Sequence, residues 1–265
     1  MSDLNLVKLN LYKPNVIDLI VLLPNSWNAF DHDELDFIAK ALIKGSTTHD
    51  IIIFILKNRT KNLKLPKNWL QLIEHETCFR ELSPWMNGLI EKLDLTKQPL
   101  PVLKHFWGKR FGPDDQFKDL TCGEFEDVEK YFVKYCISKD IIQLRHVAEI
   151  LWRKKKKGKR IAYDSSKSKL SSFSRTIVPF RLHILYLWYS SCRTVLPSLF
   201  KNLYEGEPPS KDQAPDLMVF TKLIHEGAGT KNGTRDQIRK TLLLEFLYEC
   251  ELSIIKAKEI EANTK

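Results

Sequence analysis

The chain has 265 residues, 43% hydrophobic and 11% aromatic, enough apolar material for one large domain or two small ones without disulfide staples. Five well-separated cysteines, Cys78, Cys122, Cys136, Cys192 and Cys250, contain no Cys-x-x-Cys pair and predict free, mostly buried thiols in a reducing compartment. The formal net charge is +9, yet eleven Lys and Arg against one acid lie between Arg153 and Arg181, so the rest of the chain carries about −1.

The apolar burst Val16 to Leu23 is interrupted by Asp18 and is too short for a signal peptide or a membrane span. Its β-branched composition predicts a strand running into the turn "LPNSWN". Asp31 with Glu34 then forms a capping box, and Phe30 and Leu35 form a hydrophobic staple. Leu35, Ile38, Ala39 and Leu42 share one face, and Gly45 ends the helix. "HDIIIFILKNR" reads as a second helix, although its composition also fits a buried strand. Pro66 resets the chain before an amphipathic region that Pro84 interrupts.

Residues 94–118 hold three prolines and two glycines and read as an ordered connection, since Phe106, Trp107, Phe111 and Phe117 belong out of water. Beyond it, Thr121 and Glu124 open a helix whose Phe125, Val128, Phe132 and Tyr135 recur at helical spacing. Asp140 and Gln143 repeat the capping pattern for a helix with Leu144, Val147, Ala148 and Leu151 on its apolar face, giving a helical hairpin. The segment Ile177 to Phe200 is the most apolar helix, started near Pro179 and stopped or kinked at Pro197; Arg181, His183 and Arg193 place it in a protein core, not in a bilayer. After the turn "EGEPPSKDQAP" and the stretch "DLMVFTKLIHEGAG", Thr234 with Gln237 opens a final helix whose charged end frays.

These elements predict a mainly α protein: a multi-helix, bundle-like domain with a small N-terminal α+β or helical lobe. The expected division is a lobe at 1–93, an ordered connection at 94–118 and a helical lobe at 119–265 containing a basic loop at 153–175.

The chain has no Gly-rich phosphate loop, nucleophile elbow or His-Glu-x-x-His motif, and no enzyme activity, cofactor or metal is expected. His75 and Cys78 are spaced to face one metal, but two ligands do not make a site. Cys122 lies in a helix first turn, where the dipole favours thiolate, yet with no histidine partner it reads as a packed small residue. The acids Asp114, Asp115, Glu124, Glu126, Asp127 and Glu129 sketch a metal-dependent nuclease, but capping, the dipole and a solvent face explain Glu124, Asp127 and Glu129 better.

The basic run has two readings. Arg153, Lys154, Lys155, Lys156, Lys157, Lys159 and Arg160 form a set that fits contact with nucleic acid or an acidic partner, with Trp152, Tyr163 and Phe173 available to stack on bases. The preferred reading is an extended, self-repelling loop beyond a helix C-terminus, followed by a flexible flank rich in serine, residues 165, 166, 168, 171, 172 and 174.

Three phrases, "LPNSWNAFDHDELDFIAKALI" (23–43), "PLPVLKHFWGKRFGPDDQFKDLTCGEFEDVEKYFVKY" (99–135) and "LRHVAEILWR" (144–153), resemble a pattern in a group of phage and prophage proteins of Bacteroidetes. In that group an LP-x-SW-x-x-L phrase precedes the first helix, GP-x-D precedes LT-x-x-EF, and a helix ending in LYR leads to a loop of variable length. Trp152 stands here where the group commonly has tyrosine, and Lys154 where it often has proline. "LHILYLWYSSCR" and "FTKLIHEGAG" are similar in character to the group's C-terminal half. The resemblance implies a virion assembly or structural protein of the tail or connector region, partnered by tail, connector or capsid proteins, in the host cytoplasm or the virion. Under it, Trp27, Phe125 and Trp152 are core anchors and the lysines lie outside the shared framework. The alternative is a nucleic-acid-binding accessory protein, with DNA as partner, using residues 153–160.

Overall fold

The computed structural model describes residues 4–11, 17–63, 65, 69, 76–105, 108–165, 170–205, 220, 223–225, 227 and 233–264. The protein is mainly α, as the apolar periodicities predict. Two compact units divide it, Met1–Leu95 and Thr96–Lys265. No helix among the described residues is long and apolar enough to cross a membrane.

In the first unit, strands β1 (Leu4–Leu11) and β2 (Ile17–Pro24) pair antiparallel, from Leu4 opposite Pro24 to Leu11 opposite Ile17. The sequence marks β2 but not its partner, because pairing is a choice between segments. Helix α1 (His32–Lys44) begins with the expected Asp31–Glu34 capping box and ends at Gly45, whose φ of 67° needs a residue free of Cβ strain. Leu35, Ile38 and Ala39 are buried, but Leu42 is exposed and Ala41 takes the inward position. Helix α2 (Thr48–Thr60) settles the ambiguous "HDIIIFILKNR" as helix; Thr47 and Asp50 close a capping box that local reading missed. Helix α3 (Glu76–Glu91) runs through Pro84. The exposed proline sits on the solvent side, where water can satisfy the carbonyl its missing N–H leaves behind.

The "LPNSWN" phrase locks this unit. Trp27 is buried, its indole donates to the Leu89 carbonyl at 2.6 Å, and its backbone N–H donates to Asp94 at 2.7 Å. Glu34 is buried too, and Arg59 satisfies both carboxylate oxygens at 2.6 Å.

The second unit begins with residues expected to be a connection, and they belong to its core. The Thr96 carbonyl accepts bonds from Gln116 N–H at 3.1 Å and the Trp188 indole at 3.3 Å, while Phe117 is fully buried. Phe106 and Trp107 lie outside the described residues. Strands β3 (Val102–His105) and β4 (Gly108–Phe111) form a hairpin before the helical pair α4 (Cys122–Ser138) and α5 (Ile141–Leu151). Thr121 and Glu124 form the predicted box; at α5, Asp140 caps Ile142 N–H, but its own N–H bonds to Ser138 in place of Gln143.

The basic segment corrects the loop reading. Strands β5 (Lys155–Lys156) and β6 (Lys159–Arg160) form a hairpin, and the end of the serine flank forms a short helix, α6 (Ser172–Thr176), with Phe173 and Ser174 buried; Ser166 and Ser168 lie outside the described residues. Helix α7 (Pro179–Leu199) starts at the predicted proline and continues two residues past Pro197. Its Trp188 and Tyr189 pack on Phe117 with ring centroids 5.4 and 5.1 Å apart, forming an aromatic core with Phe125, Phe132 and Trp152. Trp152 donates to the Leu100 carbonyl at 2.8 Å.

The expected final helix is two helices, α8 (Arg235–Lys240) and α9 (Leu243–Thr264). Thr241 is extended because its carbonyl accepts Cys122 N–H at 3.0 Å, while Leu243 N–H reaches the Leu120 carbonyl at 2.7 Å. Helix α9 persists to Thr264 with its last turns exposed. The "EGEPPSKDQAP" turn after Glu205 and most of "DLMVFTKLIHEGAG" lie outside the described residues.

Candidate nucleic-acid interface

Two consecutive residues with positive φ, Lys157 at 51° and Gly158 at 80°, make the two-residue turn that joins β5 to β6. A turn of that hand matches the twist of paired strands, and glycine in the second position removes one of its two left-handed penalties. The hairpin is fastened at its base: Phe111 N–H donates to the Arg153 carbonyl at 2.8 Å and Arg153 N–H returns to Phe111 at 3.0 Å, so the segment continues from β4. Ile161 N–H to the Lys154 carbonyl at 2.9 Å extends the ladder.

Side-chain alternation then sorts the cations. Lys155 opposes Arg160, and Lys156 opposes Lys159. On the inward side, Arg153 and Arg160 pair with Glu124, whose side chain is fully buried. Arg160 also meets Asp119 at 2.7 Å and donates to the Leu151 carbonyl at 2.8 Å. Lys155 places its ammonium 4.7 Å from the Phe111 ring centroid, a cation–π contact. On the other side are Lys154, Lys156 and Lys159, with Lys157 at the tip; all are exposed, and among the described residues no acid pairs with them. The seven basic residues therefore divide into two anchors, one stacked lysine and four unpaired lysines.

Glu124 explains the anchoring. A buried carboxylate without partners would cost several kcal/mol, so it gathers Thr121 N–H and hydroxyl on one oxygen and two guanidiniums on the other. Burial lowers the basicity of Arg153 and the Glu124 charge counters that shift. Next to it, Glu126 pairs with Arg235 and Arg239, and Asp127 receives Arg239 at 2.7 Å and the Tyr163 hydroxyl at 2.8 Å. Burial raises the Asp127 pKa, and the Tyr163 bond works against the rise. Glu124, Arg153, Arg160, Tyr163 and Arg239 line a cleft of about 820 Å³ that Lys155, Lys159, Asp236 and Lys240 also border.

Of the acids that sketched a nuclease, Glu124, Glu126, Asp127 and Glu129 are committed to ion pairs, while Asp115 accepts the Gln98 backbone N–H at 2.6 Å. Glu129 departs most from expectation: it is buried, not on a solvent face, accepting from the Tyr189 hydroxyl at 2.9 Å and Arg193 at 3.0 Å. Among the described residues no three His, Cys, Asp or Glu side chains gather as a metal site, and the Cys78 side chain and His75 lie outside them. Cys122 is fully buried, and desolvation pushes its thiol up to about 12 against any dipole effect.

The proposed base-stacking residues are not available either. Trp152 and Phe173 are buried, with Arg110 5.0 Å over the Phe173 ring, and Tyr163 is held by Asp127. Sequence reading missed Asp119, Arg235 and Arg239 as members of the cluster. The available signal was charge complementarity: an acid-rich stretch at 114–129 shortly before a run of cations.

Set against protein-family models, curated proteins and solved structures, the chain matches none of them.

Proposed function

We propose that this chain is a non-enzymatic nucleic-acid-binding accessory protein, and that the β5–β6 hairpin is its contact surface. One observation carries the reading: Lys156 and Lys159 stand directly opposite each other with Lys154 and Lys157 alongside, and among the described residues no acid pairs with any of them. Like charges opposed across a hairpin destabilise it, and a polyanion laid over them relieves the repulsion while releasing its own counterions. The buried Glu124 holds the hairpin base so that these four ammonium groups are presented together. Charge reversal of Lys154 to Lys157 tests this through DNA retention against salt. Binding that weakens steeply with salt and is lost in the variant supports the reading; no binding at low salt, or an unchanged salt slope, sinks it.

A second reading, a phage assembly or structural protein of the tail or connector region, is supported by the resemblance of the three phrases and by one surface feature. Ile137 is 73% exposed and Ile142 47% exposed at the α4–α5 turn, a small apolar spot suited to a protein partner. Co-purification with tail, connector or capsid proteins tests it, and a solitary monomer absent from particles and assembly intermediates refutes it.

A further inference from the structure

We infer that the nucleic acid taken by the hairpin is duplex DNA, gripped through its phosphates with no reading of bases. This rests on the nucleic-acid reading above and narrows it to one ligand class by two independent observations.

The first is what the surface lacks. Single strands are held by aromatic platforms on which unstacked bases lie, and such stacking supplies much of their affinity. Of the described aromatics beside the hairpin, Phe111 carries the Lys155 ammonium on its ring, Trp152 is 0% exposed, Phe173 is 1% exposed and the Tyr163 hydroxyl is bonded to Asp127. Base edges in a groove are read mainly by Arg, Asn and Gln in two-point contacts. Both arginines of the hairpin are turned into Glu124 and Asp119, and between Lys154 and Lys159 every residue but Gly158 is lysine. Lysine ammonium groups are point charges on flexible stems, suited to phosphates and poor at telling one base from another.

The second is charge density. Lys154, Lys156, Lys157 and Lys159 all fall within about 10 Å of strand length, given a rise of about 3.3 Å per residue. Duplex DNA carries one charge per about 1.7 Å of axis and a single strand about half that density, so over that span the duplex offers about six phosphates and a single strand about three, and the duplex is the better match to four lysines. The stacked Lys155 is outside this set, since its ammonium lies over Phe111.

The test uses the full chain and fluorescence anisotropy with two short duplexes of unrelated sequence and one of their single strands. Four phosphate contacts give a log–log salt slope of about −3.6, a weakening of roughly a hundredfold between about 50 and 200 mM salt. Both duplexes bind alike and more tightly than the single strand. Lys156→Gln and Lys159→Gln each make the slope shallower by about 0.9, while Lys155→Gln leaves it in place. A single strand bound more tightly than the duplex, a preference of about tenfold between the two duplex sequences, or a slope unmoved by Lys156→Gln overturns the inference and leaves nucleic-acid binding standing. Absence of binding to any of the three at the lowest salt overturns both together.

Discussion

Glu124 concentrates more of the second unit's electrostatics than any residue around it, since one carboxylate caps α4 and receives two guanidiniums out of water. Removing one partner of such a set leaves a buried charge uncompensated, so Glu124→Gln is expected to cost about 3–5 kcal/mol in urea unfolding. The double variant Glu124→Gln with Arg153→Met loses less than the sum of the singles, because the second change removes the charge the first one strands. Additive losses would mean the pair is not coupled. The buried thiols make a separate prediction. Burial pushes Cys122 and Cys192 up to about 12, so near pH 8 roughly one molecule in ten thousand carries either thiolate. Mass-spectrometric alkylation of the native chain should leave both unmodified until denaturant is added, and rapid native labelling of Cys122 would restore the dipole-activated reading of its helix position.

At the scale of elements, close packing explains where small residues sit. A Cβ on Gly112 would lie 2.9 Å from the Trp152 indole, which is itself fixed by its bond to Leu100. Gly112→Ala is therefore expected to destabilise by about 1–3 kcal/mol, read as a lower melting temperature, despite the gain in backbone rigidity that alanine brings elsewhere. Helix α9 is docked by Glu251, which accepts the backbone N–H groups of Asn202 and Leu203 and the Asn202 amide. Burial raises its pKa, but those bonds outweigh burial and hold it below the ordinary glutamate value. Its folded pKa being depressed, its stabilisation is complete above the unfolded value of about 4.5 and is lost as pH falls through the lower folded value. Glu251→Gln should remove that part of the acid sensitivity, and identical acid-unfolding curves would refute the assignment. The same scale shows what sequence could tell. The capping boxes at Asp31, Thr121 and Thr234 and the proline that opens α7 were legible because they involve residues three apart or fewer. The hairpin was not: lysine is a poor strand former and Lys-Gly a weak turn signal, so its pairing depends on the Phe111 backbone some forty residues earlier. Nor was the destination of Arg153 and Arg160, because Glu124, which both of them meet, is buried only once α4 and α5 have packed.

Taken whole, the chain keeps its net charge in one segment and its two cores in two units, each built from its own residues. Three partners of the Thr96 carbonyl, Gln116, Trp188 and Cys192, lie downstream of it, so Thr96–Lys265 expressed alone is expected to melt cooperatively and keep its aromatic core. A fragment with no thermal transition would sink that expectation. The extended Thr241 and its neighbours have a consequence for synthesis. Arg239 and Asp127 are 112 residues apart, and a ribosome adding about 5–20 residues per second needs roughly 6–22 s to cover that interval. For that time the nascent chain holds Asp127 and Glu126 without their arginines and Cys122 N–H without its acceptor. A translation stall before Arg235 thus leaves the first turn of α4 unfinished, an opening for proteases that closes when the C-terminal segment emerges.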